Sequence, residues 1–373
     1  MKTFTDNDSP GITAMALGVA SSQRERHGRR TFARVSPSRS ASTTRRRFLQ
    51  VGTNLVLGGV VAGAGMDATS RRLVAAERGQ PTDAAAFRHA GVIDAWEAYR
   101  DELTFGKGQT LALLDDGCKL SMPEWSTPVD GVPKVLATHD SVDGDDDPKH
   151  EGRGYHGSTI GVPSSLNFQG RWGVAYNNQV TIVRALECCH CKIADHKTLA
   201  AGLRWVIDNH QRYRITAVNL APVDDLEHAA PVPTEIDEPL ARLRELGVWV
   251  SAPAGNHNFT RGISWPACQP QCFAIGAVKA GKDEVYLDRH AKIDLVVPAA
   301  ATSSSNAIVC GAVLLLREAI NKWNYEWRRD GKTLPDAMLA IFQASGVAVL
   351  DPATQLTFRR LDVKAALDRV RGH

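Results

Sequence analysis

Six short apolar runs between residues 110 and 298 constrain this chain more than any other feature. They are "TLALLDDG" (Thr110 to Gly117), "QVTIVRAL" (Gln179 to Leu186), "ITAVNLA" (Ile215 to Ala221), "VWVSAPAG" (Val248 to Gly255), "CFAIGAV" (Cys272 to Val278) and "IDLVVP" (Ile293 to Pro298). A strand that is apolar along its length has no side for water and must be covered on both faces, which chains achieve with parallel strands joined by helices. Between the runs, "HKTLAAGLRWVIDNHQ" (His196 to Gln211) and "EIDEPLARLRELG" (Glu235 to Gly247) have the three-to-four spacing of amphipathic helices, the second stopped by Gly247. The alternation predicts an α/β fold, a three-layer sandwich with a mainly parallel central sheet. Ligands of such sheets bind beyond the carboxyl ends of the strands, so the residues that follow each run are the candidates for chemistry.

Residues 1 to about 80 read differently, as a leader and linker rich in Arg, Ser, Thr and Gly, ahead of a folded domain over 81–373. The formal charge of +3 conceals an asymmetry, because the basic excess lies in the leader and the remainder is acidic. No basic domain suited to nucleic acid is present in that remainder. Within the leader, Thr44-Arg45-Arg46-Arg47-Phe48-Leu49-Gln50 resembles the twin-arginine export motif, and a weakly apolar run, Val51 to Ala64, follows it. That run is shorter than the roughly 20 helical residues needed to span a bilayer. The competing reading is a basic arm beside a short buried helix. No Cys follows the run to carry a lipid anchor. Cleavage at Ala62-Gly63-Ala64 and at Val74-Ala75-Ala76 both remain open, and an uncleaved leader would keep the chain at the membrane. The resemblance implies the twin-arginine translocase as a partner and an extracytoplasmic location, in the periplasm or secreted.

Three strand ends carry polar residues that stability would not require. Asp115-Asp116-Gly117 follows "LALL", Asn256 follows "VSAPAG", and "TSSS" precedes "NAIVCGAVLLLREAI". His156-Gly157 opens a further helix-like segment; His150 competes with it, and the following Gly favours His156. An Asp, a His and a Ser, with an Asn amide, are the parts of a hydrolase that attacks through serine. The hydroxyl is a poor nucleophile until an imidazole takes its proton, a buried carboxylate holds that imidazole in one tautomer, and fixed donors must meet the oxyanion. The side-chain NH₂ of Asn is such a donor.

These residues and their order resemble the subtilisin-like serine protease family, peptidase family S8, over roughly residues 85–320. "TLALLDDGC" resembles the strand and D-[ST]-G motif, which implies Asp115 as the carboxylate, with Asp116 where Ser or Thr is usual. "HGSTIGV" resembles H-G-T-H-V-A-G and implies His156 as the general base, with Ser158 and Thr159 replacing Thr and the second His. "SAPAGN" resembles A-A-A-G-N and implies Asn256 as the oxyanion donor. "ATSSSNAIVCGA" resembles G-T-S-M-A-A-P-H-V-A-G-A, and counting back from Gly311 places the nucleophile on Ser303, with Ser304 and Ser305 at the Met and first Ala positions. Ala301 replaces a Gly, and Asn306-Ala307-Ile308 replaces the usual Ala-Pro-His; the helix start could instead be built on Ser or Asn caps. The segment from Pro298 to Thr302 is short, as if a substrate-side loop were missing. The resemblance further implies substrate contacts at Ala221, Pro222, Val223, Ala252 and Gly255. Val223 in place of Gly should narrow the first specificity pocket and Pro222 cannot donate a backbone N–H to a paired peptide, so small side chains or weak peptide binding are expected.

No resident cofactor or metal is expected. The exception to weigh is calcium, since "DSVDGDDDPKHEGRG" sets Asp143, Asp145, Asp146 and Asp147 close together; a solvated acidic loop is the equal alternative. Cys188-Cys189-His190-Cys191 is too compressed for a tetrahedral zinc site. The seven cysteines are expected as disulfides or buried thiols, with Cys310 a small packing residue. The function implied is an exported serine endopeptidase acting on peptides or proteins. A non-catalytic binding protein on the same scaffold is the rival, and an esterase is disfavoured because its serine would precede the Asp and His.

Overall fold

Strand β1 (Thr110–Asp115) is buried at every position, because strands lie on both its edges and helices on both its faces. The structure is a computed structural model and describes residues 79–148, 156–187 and 195–372. The twin-arginine motif, His150, Cys188, Cys189 and Cys191 lie outside the described residues.

The other strands of the central sheet are β2 (Val135–Asp140), β3 (Gln179–Arg184), β4 (Ile215–Leu220), β5 (Trp249–Pro253), β6 (Phe273–Val278), β7 (Leu295–Pro298), β8 (Val347–Leu350) and β9 (Thr357–Arg360). Their order is β8-β9-β7-β6-β5-β4-β1-β3-β2. All neighbours in this order are parallel except β8 with β9, and a tenth short strand, Val285–Tyr286, pairs antiparallel with β6. The chain leaves β1 for one edge, returns to pair β3 with β1, then crosses to β4 on the other side. β1 is therefore flanked by strands from opposite halves of the chain, and such a switch point leaves a crevice beyond the strand ends.

Side chains alternate between the two faces as a pleated strand requires. Leu111 and Leu113 of β1 join the core that contains helices α4 (Thr302–Lys322), α5 (Leu334–Ser345) and α6 (Val363–Arg371). Ala112 and Leu114 join the opposite core, against α2 (His196–Tyr213) and α3 (Asp237–Glu245). The expected three-layer α/β sandwich is thus present. Helix α4 is buried from Ser305 through Leu316. It matches a membrane span in length and apolarity but lies within the core, which is why it is apolar all round.

The six sequence runs coincide with β1 and β3 to β7. Strands β2, β8 and β9 lie outside the six runs: β2 and β9 have mixed polarity and face solvent in part, while β8, Val-Ala-Val-Leu, is a short apolar strand exposed at the edge. The cysteine expectation resolves to buried thiols at Cys118, Cys268, Cys272 and Cys310. Burial pushes the thiols of Cys118, Cys272 and Cys310 up to about 12 and that of Cys268 to about 11.

The acidic segment after β2 is organised around an arginine. Arg184, at the end of β3, donates to buried Asp140 at 2.7 Å and to Asp143 at 2.6 Å. Asp140 also accepts from the N–H groups of Val142 and Asp143, and Asp145 accepts from that of Asp147. Asp143 is thus committed to Arg184, and no group of three His, Cys, Asp or Glu side chains placed to hold a metal ion occurs among the described residues.

Helix α4 sits close to its neighbours at Gly311, where a Cβ would stand 2.6 Å from that of Val174 and 3.1 Å from the Ser164 carbonyl. Gly311→Val should therefore destabilise the fold by about 1–3 kcal/mol through overpacking. Chemical denaturation is the measurement, and an unchanged midpoint would contradict this packing.

Candidate active site

The crevice beyond the strand ends is built first from β1. Asp115, its last residue, is 2 % exposed, and its Oδ2 lies 2.6 Å from His156 Nδ1. His156 is the first residue of helix α1 (His156–Ile160). Nδ1 must donate to this acceptor, which leaves the Nε2 lone pair facing outward. Asp116, fully buried, takes the other end of the same residue. Its Oδ2 accepts from the His156 N–H at 3.3 Å and its Oδ1 from the Gly157 N–H at 2.8 Å. Side chain and backbone of His156 are thus held by adjacent carboxylates, the second of which also satisfies orphan donors at the start of α1. Gly157 permits the seating, since a Cβ there would stand 2.1 Å from the Gly117 carbonyl oxygen.

Burial pushes the Asp115 carboxyl up, opposed by His156. For His156, burial acts against the imidazolium, but the charge and hydrogen bond of Asp115, with a smaller contribution from Asp116, outweigh it. The imidazole therefore holds its proton to a higher pH than an ordinary histidine.

The three serines prove inequivalent. Ser305 is buried and donates to the Val297 carbonyl at 2.9 Å. Ser304 lines a cavity of about 290 Å³ with Thr159, Ala300 and Ile308. Ser303, half-buried on the first turn of α4, makes no side-chain hydrogen bond among the described residues. The Ser303–His156 hydrogen bond is thus not formed, and such contacts commonly tighten only with substrate.

The helix start differs from the expected Ser or Asn cap. Ala301 is the N-cap and makes no side-chain bond, so the first orphan donor is met from outside the helix. The Thr302 N–H donates to Asn256 Oδ1 at 3.0 Å, and the Thr302 hydroxyl lies 3.0 Å from the same oxygen. With its oxygen so engaged, Asn256 has its NH₂ left as a donor. Asn306, which replaces a residue of the usual helix opening, is buried and donates to Asn219 Oδ1 at 2.7 Å and to the Ser251 carbonyl at 3.0 Å. It pins the Ser303 helix to β4 and β5. The pattern Asn219…Ser251…Asn306, three polar residues in apolar runs, was the signal available for this network.

The expected substrate contacts divide. Ala221 and Pro222 follow β4, Val223 is half-buried beside them, and Gly255 follows β5. The two segments are bridged below. The Ser264 N–H donates to the Ala254 carbonyl, the Asp224 N–H to the Trp265 carbonyl, and the Trp265 N–H to Asp224 Oδ1. Residues 264–265 thus tie the 221–224 segment to the 254–255 segment. Ala252 faces another way. Its side chain is fully buried in the core of the α2 and α3 face, because the pleat turns it away from the crevice.

The model of the subtilase family, peptidases S8, matches residues 106–334, more than half of the chain. No curated protein sequence matches. Among solved structures, a cold-adapted subtilisin-like serine proteinase shares 19% identity at a TM-score of 0.53, over 69% of this chain and 89% of that one. A protease from Pseudoalteromonas arctica PAMC 21717 shares 17% identity at a TM-score of 0.59, over 77% and 97%. At such identities these two speak to the fold alone, and they agree with the subtilisin-like sandwich.

The geometry makes a prediction that needs no substrate. Titrated by NMR, His156 should have a pKa above the ordinary value of about 6.5, and Asp115→Asn should move it downward. A titration unmoved by the substitution would show that Asp115 does not hold the imidazolium.

Proposed function

The chain belongs to the subtilase family of serine-type endopeptidases, and we propose that it is an exported member that hydrolyses peptide bonds through Asp115, His156 and Ser303. Ser303 Oγ attacks the carbonyl carbon while its proton passes to His156 Nε2. The C=O electron pair becomes an oxyanion that accepts from the Asn256 NH₂ and the Ser303 backbone N–H. Collapse breaks the C–N bond, and His156 returns the proton to the departing amine. Water then repeats the sequence on the acyl-enzyme, releasing the acid and restoring Ser303. Asp115 holds the proton-accepting tautomer throughout.

The observation that carries this reading is the 2.6 Å bond between Asp115 and His156 at the end of β1, with Asn256 tied to the residue preceding Ser303. Val223 and Pro222, after β4, favour substrates with small side chains before the cleaved bond. Cleavage chiefly after large aromatic residues in a peptide library would contradict that preference. The non-catalytic reading draws support from the missing Ser303–His156 hydrogen bond.

Covalent labelling by a fluorophosphonate separates the two, since only an activated serine reacts. Labelling is expected on Ser303 and lost in Ser303→Ala, with Ser304→Ala still labelled; an unlabelled native chain would favour the binding protein. Asn256→Ala should lower kcat by about 10²–10³, the loss known for this donor in a relative of the same family. Hydrolysis should rise with pH along a limb above about 6.5, because neutral His156 is the base and its imidazolium is stabilised.

Export rests on the motif Thr44 to Gln50, which supports passage through the twin-arginine translocase to the periplasm or beyond. Replacing Arg45 and Arg46 together by Lys should leave the chain in the cytoplasm. Undiminished export of that variant would remove the translocase from the account.

A further inference from the structure

Asn256 is exposed, so its amide stands where the surrounding backbone puts it. One anchor is Thr302. The other lies beyond Asn256 in the chain and is formed by Asp288, whose side chain is 0 % exposed. Asp288 Oδ1 accepts from the His257 N–H at 2.7 Å and from the Phe259 N–H at 3.0 Å. The flanking residues continue the clasp, for the Leu287 N–H donates to Asn258 Oδ1 and the Arg289 N–H to the Phe259 carbonyl. On the near side of Asn256, Gly255 has φ +114°, and a Cβ there would stand 2.0 Å from Asp288 Oδ2. The turn that carries Asn256 is thus wrapped around one buried carboxylate, and only glycine fits before it.

We infer that Asp288 is a positioning residue for the oxyanion donor: by holding the backbone of residues 257 and 259 it fixes where the Asn256 amide stands relative to Ser303. The inference rests on the oxyanion role proposed for Asn256. Displacements of about 1 Å in such a group can cost on the order of 10²-fold in rate, so a buried acceptor behind the turn has kinetic weight without touching substrate. Asp288 Oδ2 and Ser264 Oγ, both pressed against Gly255, have no hydrogen-bond partner among the described residues. An asparagine at 288 would keep the Oδ1 acceptor for both N–H groups, whereas alanine removes the clasp entirely.

The test is a double-mutant cycle in the full chain, read as kcat and KM on a peptide substrate after thermal unfolding has confirmed a folded state. Asp288→Ala is expected to lower kcat by about tenfold or more with KM within about twofold, and Asp288→Asn to restore activity to within about threefold of the native chain. In the Asn256→Ala background, Asp288→Ala should change kcat by less than about twofold, because the group it positions is gone. Equal losses in both backgrounds would assign Asp288 a general structural role and overturn the inference. So would an unimpaired Asp288→Ala beside an impaired Asn256→Ala. An Asn256→Ala single variant with native kcat would instead fell the oxyanion reading and this inference with it. Asp288→Leu, which keeps the volume and removes the acceptors, carries the same expectations should the alanine variant fail to fold; loss of folding in Asp288→Asn as well would count against the inference.

Discussion

The structure depends on the burial of β1. A strand covered on both faces and paired on both edges has no slack, so the residue at its carboxyl end is placed with the rigidity of the whole sheet. Asp115 occupies that end, and a carboxylate there is costly unless it is hydrogen-bonded. His156 and the Asp116 N–H meet it. The same bond that makes the buried carboxylate tolerable orients the imidazole, so fold stability and catalytic geometry share one interaction.

The remaining polar groups of the site obey the same rule at successive strand ends. Ser305 reaches back to the end of β7, Asn306 to β4 and β5, and Thr302 to the turn after β5. Each bond ties the first turn of α4 to a different part of the sheet, and the body of α4 is immobilised by apolar packing. Among the described residues of that turn, Ser303 and Ser304 keep hydroxyls free of such duties, and Ser304 faces the cavity it shares with Thr159. That arrangement suits the nucleophile proposed at Ser303, because its neighbours supply the anchorage in its place.

Departures from the family pattern acquire physical meaning in this setting. Asp116, where Ser or Thr is usual, uses two acceptor oxygens to satisfy two N–H groups at the start of α1. Asn306, absent from the usual helix opening, uses its NH₂ to join α4 to Asn219 and the Ser251 carbonyl, while its Oδ1 stays without a partner among the described residues. Neither substitution disturbs the Asp115–His156 pair. Val223 and Pro222 lie apart from that pair, after β4, where the proposed function places the peptide.

The linear sequence by itself determined the sandwich and the strands β1 and β3 to β7, because a strand buried on both faces must be apolar at every position and that demand is local. It also determined Asp115, His156, Asn256 and Ser303 as candidates, since polar residues stand out where apolar runs end. Strands β2 and β9 were illegible because partial exposure relaxes the same demand. Only the tertiary structure decided the division of labour among the three serines, the withdrawal of Ala252 into the core, the Arg184 clasp on the acidic loop and the part of Asp288. Those outcomes depend on contacts between residues tens to hundreds of positions apart, such as Asn306 with Asn219. No local pattern records them, because a hydrogen bond is chosen by what the fold brings within about 3 Å, not by what stands nearby in the chain.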